Sequence, residues 1–431
     1  MATGKRRRPT IVGVLRRNPE FRALAFANSM SLAGDDLARI ALAIVFYERT
    51  QSAFIAAFTF ALSFLPAFFG GPVLAALGDR FPRRRVMVVC DIARACLVGL
   101  GAAALALNWT AAIPLGALVV AAFLGPPFEA SRAALMPQVV PGDDYVVAST
   151  ATAIAAQVSQ IVTYILGAAA VATLGGDGAL FLDACSFGIS ALVLLAFVEA
   201  GEHPQSPAGR ASVGLLAMTM EGARDVFERP ALRALLTVAA TTVAACAVAE
   251  GLAVVYAAQH GVTGLRQGLL VAAIPLGTAL GGVVLTRFVR AARQPAMIRP
   301  LAVGTCIPLI ATALPVGPTV VFVLWVAVGV LLAFQFVANA AFVLQTPDHL
   351  RARAIGLAQS LMALAQTAAM LAGGAIASSV DPRYVVGGAG GLALVAMLRT
   401  ISRWPAGISV IRETTASEPY VAAATPPAAA P

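Results

Sequence analysis

Long uncharged and largely apolar runs dominate the pattern of this chain. Four of them, each flanked by charged residues, are the intervals 50–78, 145–176, 267–286 and 354–380. Each is at least as long as the roughly 20 residues that an α-helix needs to cross a hydrocarbon core about 30 Å thick. Two longer runs, 95–128 and 300–347, each hold parts of two helices, with turns at 108–110 and 315–318. The pattern therefore predicts an all-α membrane protein.

Counting the runs predicts twelve transmembrane helices, near 22–47, 53–77, 86–106, 111–131, 146–172, 178–199, 232–257, 267–290, 297–314, 319–344, 354–378 and 384–403. Short cytoplasmic loops of membrane proteins carry an excess of Lys and Arg. Most of the 30 basic residues fall on the side of the membrane that holds the N-terminus. Both termini are therefore predicted to be cytoplasmic.

An internal repeat divides the predicted helices into two halves. The segments 18–24, 78–85 and 140–144 match 229–235, 285–292 and 346–350 at offsets of 211, 207 and 206 residues. Six helices per copy give both copies the same orientation, as parallel repeats. The predicted organisation is a basic cytoplasmic tail (1–20), a six-helix half (21–199), a cytoplasmic linker (200–230), a second six-helix half (231–403) and a disordered cytoplasmic tail (404–431).

Composition narrows the class further. With 59% hydrophobic and 12% charged residues, the chain does not have the make-up of an ordinary soluble domain. Its net charge of +9 is scattered among membrane-flanking loops, so topology explains it and no nucleic-acid partner is expected. The five cysteines lie in apolar runs without metal-ligand spacing. With no phosphate-binding loop either, we expect no enzyme and no cofactor.

Several short motifs resemble one known family. The loop "LGDRFPRRR" (77–85) is similar to the signature of the major facilitator superfamily. The "GD" step at 34–35, "DIAR" at 91–94 and "LFLDACSF" at 180–187 resemble the branch that contains enterobactin exporters and macrolide-efflux proteins. The resemblance covers about residues 18–404. It implies a monomeric six-plus-six transporter of the cell (plasma or inner) membrane, with a small-molecule substrate bound between its halves.

The signature loop supports two interpretations. Its basic residues can anchor the topology on anionic lipid, at about 1 kcal/mol each. Alternatively, the resemblance implies a cytoplasmic gate that pairs with the other half, and Asp91 and Arg94, spaced i,i+3, would extend its network. The second copy has Thr286 where the first has Asp79, so such a gate would be asymmetric. The gating candidates are Asp79, Arg80, Arg83, Arg84, Asp91 and Arg94.

Two departures weaken the case for proton antiport. Drug/proton antiporters of the superfamily carry Gly-Pro-x-x-Gly late in helix five, whereas this chain has Thr163 to Gly167 there and keeps only the last Gly. Many also carry an arginine in the middle of helix four, but no basic residue lies between Arg94 and Glu129.

Three ionisable residues near the middle of the first span are the best candidates for function. Asp35, Asp36 and Arg39 lie where each charge costs roughly 2.5–3.5 kcal/mol to insert. Arg39 can reach either carboxylate on the same helix, and a neutralised structural pair is one interpretation. One arginine cannot neutralise two carboxylates, however. We therefore expect one Asp to face a water-filled cavity or to carry a proton, and Asp35, in the "GD" step, is the preferred coupling residue.

Other polar residues in the apolar runs are further candidates. Asp183, in the sixth span, is predicted to lie near the outer interface in a structural role. Glu129 and Arg132 are expected to form a surface pair. The candidates for lining the cavity are Glu250, Gln157, Gln160, Gln335 and Asn339.

These features together predict a secondary transporter that exports an amphipathic small molecule, such as a drug, siderophore or other metabolite, driven by proton entry. Membrane lipid and protons would be its other partners. Two alternatives stay open: a proton symporter that imports a nutrient or lysolipid, and a non-transporting membrane scaffold or sensor on the same fold.

Overall fold

The computed structural model describes residues 11–62, 64, 66, 81–142, 144–199, 226–290, 293–347 and 351–405. In these ranges the ordered elements are fifteen α-helices. In chain order they are α1 (Ile11–Arg17), α2 (Pro19–Thr50), α3 (Ala53–Leu62), α4 (Arg83–Ala106), α5 (Ala112–Phe123), α6 (Gly125–Val139), α7 (Asp144–Phe197), α8 (Pro230–Gln259), α9 (Gly264–Val271), α10 (Ala273–Phe288), α11 (Gln294–Ala311), α12 (Pro318–Leu332), α13 (Phe334–Gln345), α14 (Arg351–Ala377) and α15 (Pro382–Ser402).

Some predictions fall outside the described residues. These are the gating candidates Asp79 and Arg80, the first ten residues of the predicted N-terminal tail, most of the linker 200–230 and nearly all of the tail 404–431. They stay predictions.

The described helices are long and apolar enough for seven membrane spans, or for eight if the bent pair α9 and α10, which meet at 51°, forms one span. The twelve spans predicted from the sequence are not all found among the described residues and stay a prediction. Charges at Asp35, Asp36 and Arg39 lower the apolar character of α2, and α3 ends at Leu62, next to undescribed residues. One long helical element, α7, covers two of the predicted spans.

Gly175 divides α7 into two arms, 144–174 and 176–197. Its backbone (φ 78°, ψ 172°) lies in a region that L side chains rarely adopt, so glycine is required at this break. The first arm runs parallel to α2, because Ser159 Oγ bonds to Ser29 O at 2.9 Å and Gly167 lies against Leu37.

The second arm runs back along the other flank of α2. Gly176 lies against Val45, Asp183 against Gly34, and Ser190 Oγ bonds to Ala27 O at 2.9 Å. Gly175 therefore reverses the chain, and the single element α7 is a hairpin that holds α2 between its arms.

The start of α2 is fixed by a side-chain cap. The Asn18 Oδ1 accepts a hydrogen bond from the Phe21 N–H at 2.8 Å, and Pro19 occupies the first turn, where its missing N–H is tolerated. Asn18 Nδ2 also donates to Val139 O at 2.6 Å, which ties this end of α2 to α6. The 32 residues of α2 give a length of about 48 Å, more than a hydrocarbon core requires. We call the Pro19 end of the bundle the near end and the Thr50 end the far end.

Among the described residues, the two halves of the chain meet mainly toward the far end. There α3 packs against α14 and α8, and the first arm of α7 packs against α9. Small residues bring the backbones close: Gly374 lies against Ala57, and Gly268 against the backbone of Tyr164 and Ile165. One continuous hydrophobic core extends through both halves.

Candidate functional site

The predicted charge cluster of α2 begins with a close ion pair. Arg39 Nη1 lies 3.0 Å from Asp36 Oδ1, as the i,i+3 spacing allows. The same nitrogen donates to Tyr164 Oη, on the first arm of α7, at 3.1 Å. The guanidinium also lies over the ring of Phe64, 5.2 Å from its centroid. A buried ion pair is tolerated when further hydrogen bonds satisfy it, and Tyr164 supplies one here.

A line of polar side chains on α7 continues from this pair. Gln160 Nε2 lies 3.4 Å from Tyr164 Oη, and Gln157 Nε2 lies 3.3 Å from Gln160 Oε1. The spacings of three and four residues place all three side chains on one face of the arm. Both glutamines are half-buried. The structure therefore joins the predicted Gln157 and Gln160 to the charges of α2 in one hydrogen-bonded series.

Asp35 has a different partner from the one its sequence neighbours suggest. Its Oδ2 lies 3.4 Å from Arg94 Nη1, on α4, and its side chain is 31% exposed, whereas that of Arg94 is 1% exposed. Adjacent residues of a helix point about 100° apart. Asp36 can therefore face Arg39 while Asp35 faces α4. Two guanidiniums, rather than one, serve the two carboxylates.

Arg94 is the centre of a second buried cluster. Its Nη1 donates to Ser31 Oγ at 2.9 Å and lies 3.9 Å from Asp91 Oδ1. Ser31 Oγ in turn donates to Asp91 Oδ1 at 2.9 Å. Ser190 Oγ lies 2.5 Å from Asp91 Oδ2, so a hydroxyl contacts each oxygen of this buried carboxyl.

Aromatic rings complete the enclosure of the Arg94 guanidinium. Its Cζ lies 5.5 Å from the ring centroid of Phe128 and 5.4 Å from that of Phe187. Cations are attracted to ring faces at this range. The cluster thus contains residues of α2, α4, α6 and α7, all in the first half.

The candidates from the second half lie less closely together. Glu250, on α8, is half-buried, and the charges of Arg39 and Asp36 act on it across the boundary between the halves. Gln335 Nε2, on α13, donates to Thr242 Oγ1 of α8 at 3.2 Å. Asn339 is exposed. Of these, Glu250 is the residue that the structure associates with the α2 charges.

The described gating candidates make their contacts inside the first half. Arg83 donates to the carbonyl oxygen of Ala134 on α6. Arg84 Nε donates to Leu194 O of α7 at 3.1 Å, and its Nη2 donates to Leu195 O. Asp91 and Arg94 are wholly buried, with contacts to α2 and α7.

Sequence reasoning missed the residues that complete these clusters. Tyr164, Ser31 and Ser190 are ordinary helix residues by pattern, and their roles depend on which helices are neighbours. The sequence held one signal for the second cluster. Arg94 lies within a predicted membrane span, as the last basic residue before a long uncharged run, and a charge there needs a partner. In the described residues, no group of three His, Cys, Asp or Glu side chains could hold a metal ion.

Buried charges between the helices of a two-half bundle define the class of this protein. Ionisable residues inside membrane helices mark the pathways of ions and substrates, and paired helical halves are typical of membrane transporters. The model of the Major Facilitator Superfamily matches residues 24–349. The chain belongs to this superfamily, so it is a multi-pass membrane transporter and not an enzyme, as predicted.

Curated relatives include proteins of the branch that the motifs resemble. The chain is 29% identical over 358 residues to the multidrug efflux pump Tap of Mycobacterium tuberculosis (strain ATCC 25618 / H37Rv), covering 80% of this chain and 84% of that protein. It is 27% identical over 405 residues to the enterobactin exporter EntS of Salmonella typhi, covering 90% of this chain and 93% of that protein.

Solved structures show the same fold at low sequence identity. A POT family transporter in complex with 5-aminolevulinic acid aligns with a TM-score of 0.71 and 11% identity, over 90% of this chain and 96% of that one. An inward-facing, unoccupied bacterial homologue of the human lysosomal transporter Spinster aligns with a TM-score of 0.57 and 15% identity, over 89% and 94%. Membership of the superfamily implies a small-molecule substrate and a membrane environment.

Proposed function

We propose that the protein is a secondary active transporter that exports an amphipathic small molecule, such as a drug, siderophore or other metabolite, in exchange for protons. Relatives named as a multidrug efflux pump and an enterobactin exporter support the direction. The observation that carries proton coupling is the pair of Asp35 with Arg94. The Asp35 side chain is 31% exposed, so its carboxylate can exchange protons with water. The side chain of its partner Arg94 is 1% exposed and is shielded from water.

The proposed topology has twelve spans in two parallel six-helix halves, with both termini in the cytoplasm. The reversal at Gly175 supports counting α7 as two spans, and the even number of helices per half supports parallel halves. In this topology the far end of the bundle is the outer side. The contacts between the halves lie mainly there, so the conformation described is closed to the outside.

Two carboxylates of α2 would then have separate tasks. Asp36, fixed by Arg39 and Tyr164, would hold the polar face of the binding site between the halves. Asp35 would be the carboxylate that takes up and releases the transported proton. Glu250 would bring a negative charge from the second half to a cationic group of the substrate. The glutamines at 157, 160 and 335 and Asn339 would supply neutral hydrogen bonds around it.

The gating proposal concerns the near end, which is cytoplasmic in this topology. Arg83 and Arg84 bond to carbonyl oxygens of their own half in the conformation described. When the cytoplasmic side closes, Arg83 would pair with the second half together with Asp79 and Arg80. Asp91 and Arg94 would hold α4 against α2 during this movement.

Proton-coupled flux in proteoliposomes tests the proposal. Purified protein is reconstituted into vesicles with an acidic lumen, and uptake of ethidium, a cationic amphipathic dye, and of enterobactin is measured after transfer to neutral buffer. An antiporter accumulates its substrate inside as protons leave. We expect Asp35→Asn to remove the dependence of uptake on the pH gradient, while the matched variant Glu48→Gln, at the exposed end of the same helix, keeps it.

The alternatives predict different outcomes of this assay. A symporter moves substrate inward only when the outer buffer is the acidic one. A scaffold or sensor moves neither probe in either direction. Unchanged gradient dependence in the Asp35→Asn variant would return the α2 charges to a structural role.

A further inference from the structure

Asp183 is a buried carboxyl group that the proposed function does not use. It lies on the second arm of α7 and is 0% exposed, and neither of its carboxyl oxygens has a hydrogen-bond partner in the part of the chain that the structure describes. The nearby Ser186 Oγ donates to the backbone carbonyl oxygen of Asp183 at 2.8 Å, so its single proton is used elsewhere. The sequence placed this residue near the outer interface. In the structure it lies deep between α7 and α2.

The position opposite Asp183 on α2 is a glycine. A Cβ at Gly34 would lie 2.7 Å from Asp183 Oδ1 and 2.7 Å from the ring of Phe187. Only a glycine lets the carboxyl approach the α2 backbone this closely. The Gly34-Asp35 step therefore brings the Asp35 and Asp183 carboxyl groups into the same region of the first half.

Among the described residues, the charges around Asp183 do not include a cation that serves it alone. Those whose fields reach it are Asp35 and Asp36 from α2 and Arg94 from α4. Arg94 already serves Asp35 and Asp91 through Nη1. Its Nε, however, is buried without an acceptor among the residues that the structure describes. The Arg94 guanidinium lies 5.4 Å from the ring centroid of Phe187, and the Gly34 position that Asp183 contacts borders the same ring.

An ionised carboxylate in this position would be costly. Burying an unpaired charge costs far more than burying a neutral polar group, and such groups bind a proton instead. The burial of this carboxyl group and the two acidic residues near it favour the neutral acid. In that form it still carries one unmet O–H, whose burial costs on the order of 1–3 kcal/mol.

We propose that Asp183 is a proton-binding site in the interior of the first half, separate from the Asp35 site, with Arg94 as its counter-ion when it ionises. In the conformation described it holds a proton as a carboxylic acid. When the proton leaves to water by way of the half-exposed Asp35, the carboxylate turns to the free Nε of Arg94. Binding one proton converts the carboxylate back to the acid and releases Arg94 to its other partners.

The proton-binding property stands on the geometry alone, whereas a use of this proton in coupling rests on the proposed function. The site would make the first half a store for a proton that is not in direct contact with the substrate. Its test therefore has to measure the proton itself rather than transport.

Infrared spectroscopy of the purified protein measures it directly. Protonated carboxyl groups absorb at a higher frequency than carboxylates, and the band shifts in deuterated water. We expect the spectrum of the wild type at neutral pH, minus that of Asp183→Asn, to show one carboxylic acid per chain. The matched control is Asp177→Asn, an exposed acid beside the Gly175 turn, which should remove a carboxylate band and leave the acid bands unchanged.

The same variants keep the proposal falsifiable if folding changes. Asp183→Asn and Asp183→Leu replace a neutral group with neutral groups of similar size, so both should fold with a melting temperature close to that of the wild type. Loss of folding in both would contradict a neutral group that other neutral groups of similar size can replace, and full retention of the acid bands in Asp183→Asn would show that Asp183 is not the protonated acid. Either result would overturn the proposal. This test does not measure ethidium flux, so its result remains valid even if the proposed transport is not observed.

Discussion

A close approach of the two halves at Gly268, on α9, gives the sharpest prediction. A Cβ there would lie 2.5 Å from Tyr164 O, 2.7 Å from Ile165 Cα and 2.7 Å from Ile165 O. All three atoms belong to the backbone of α7, so no side chain can move aside. Gly268→Ala must therefore push the halves apart. Overpacking of this kind costs roughly 1–3 kcal/mol.

The cost falls on one conformation only. If the contact opens when the far end opens, the substitution destabilises the closed state and leaves the open state unchanged. A difference of about 1–3 kcal/mol multiplies the ratio of open to closed molecules by roughly 5 to 150. Ala53, at the start of α3, is 3% exposed in the closed contact and reports on this opening.

The assay follows a thiol introduced by Ala53→Cys after the five native cysteines are replaced. In detergent, a membrane-impermeant maleimide should modify this thiol about 5 to 150 times faster when Gly268→Ala is also present, provided that the closed state predominates. Gly388→Ala, in the same half as Gly268, is the matched control. No atom of the described residues lies within 4 Å of a Cβ built at that position. Equal rates for the two alanine variants would refute the reasoning.

Two further substitutions test the buried clusters. Arg94→Leu leaves the carboxylates of Asp91 and Asp35 without their cation, and we expect a loss of about 3–5 kcal/mol of stability, measured as a lower melting temperature. An added Asp91→Asn should partly restore the melting temperature, and no recovery in the double variant would contradict the cluster. Tyr164→Phe removes the hydroxyl that bonds to a guanidinium and to an amide, so we expect a loss of about 0.5–1.5 kcal/mol, with the pH profile of flux unchanged. The exposed Tyr145→Phe is its control, and equal melting temperatures for the two Phe variants would count against a role for the hydroxyl.

The sequence was sufficient to locate the charged positions but not to pair them. Hydropathy and the cost of intramembrane charge singled out Asp35, Asp36 and Arg39, and the i,i+3 spacing anticipated the Asp36–Arg39 bond. The pairing of Asp35 with Arg94 joins α2 to α4 over 59 positions of the chain. No periodicity within one helix contains that information, because it depends on which helices pack together and how each is rotated.

The same limit explains the case of Asp183. By sequence it lies a few residues after the uncharged run 145–176 and has no charged neighbour, which suggested a place near the outer interface. Its depth is set by Gly175, which reverses the chain, and by Gly34, which lets the second arm approach α2. Both glycines are marked in the sequence, one in the "GD" step at 34–35 and one between the spans predicted at 146–172 and 178–199, but neither pattern shows that Asp183 packs against Gly34.

The hairpin of α7 around α2 has a mechanical consequence. Because its arms hold α2 on both flanks, from Ala27 to Val45, sliding or turning α2 alone would break contacts along its whole length. We therefore expect α2 and α7 to move as one rigid unit that includes Asp35 and Asp36. In the proposed function, a rocking motion of the halves would therefore move Asp35 and Asp36 together with α2 and α7, and only their access to water and to Glu250 would change with the angle between the halves.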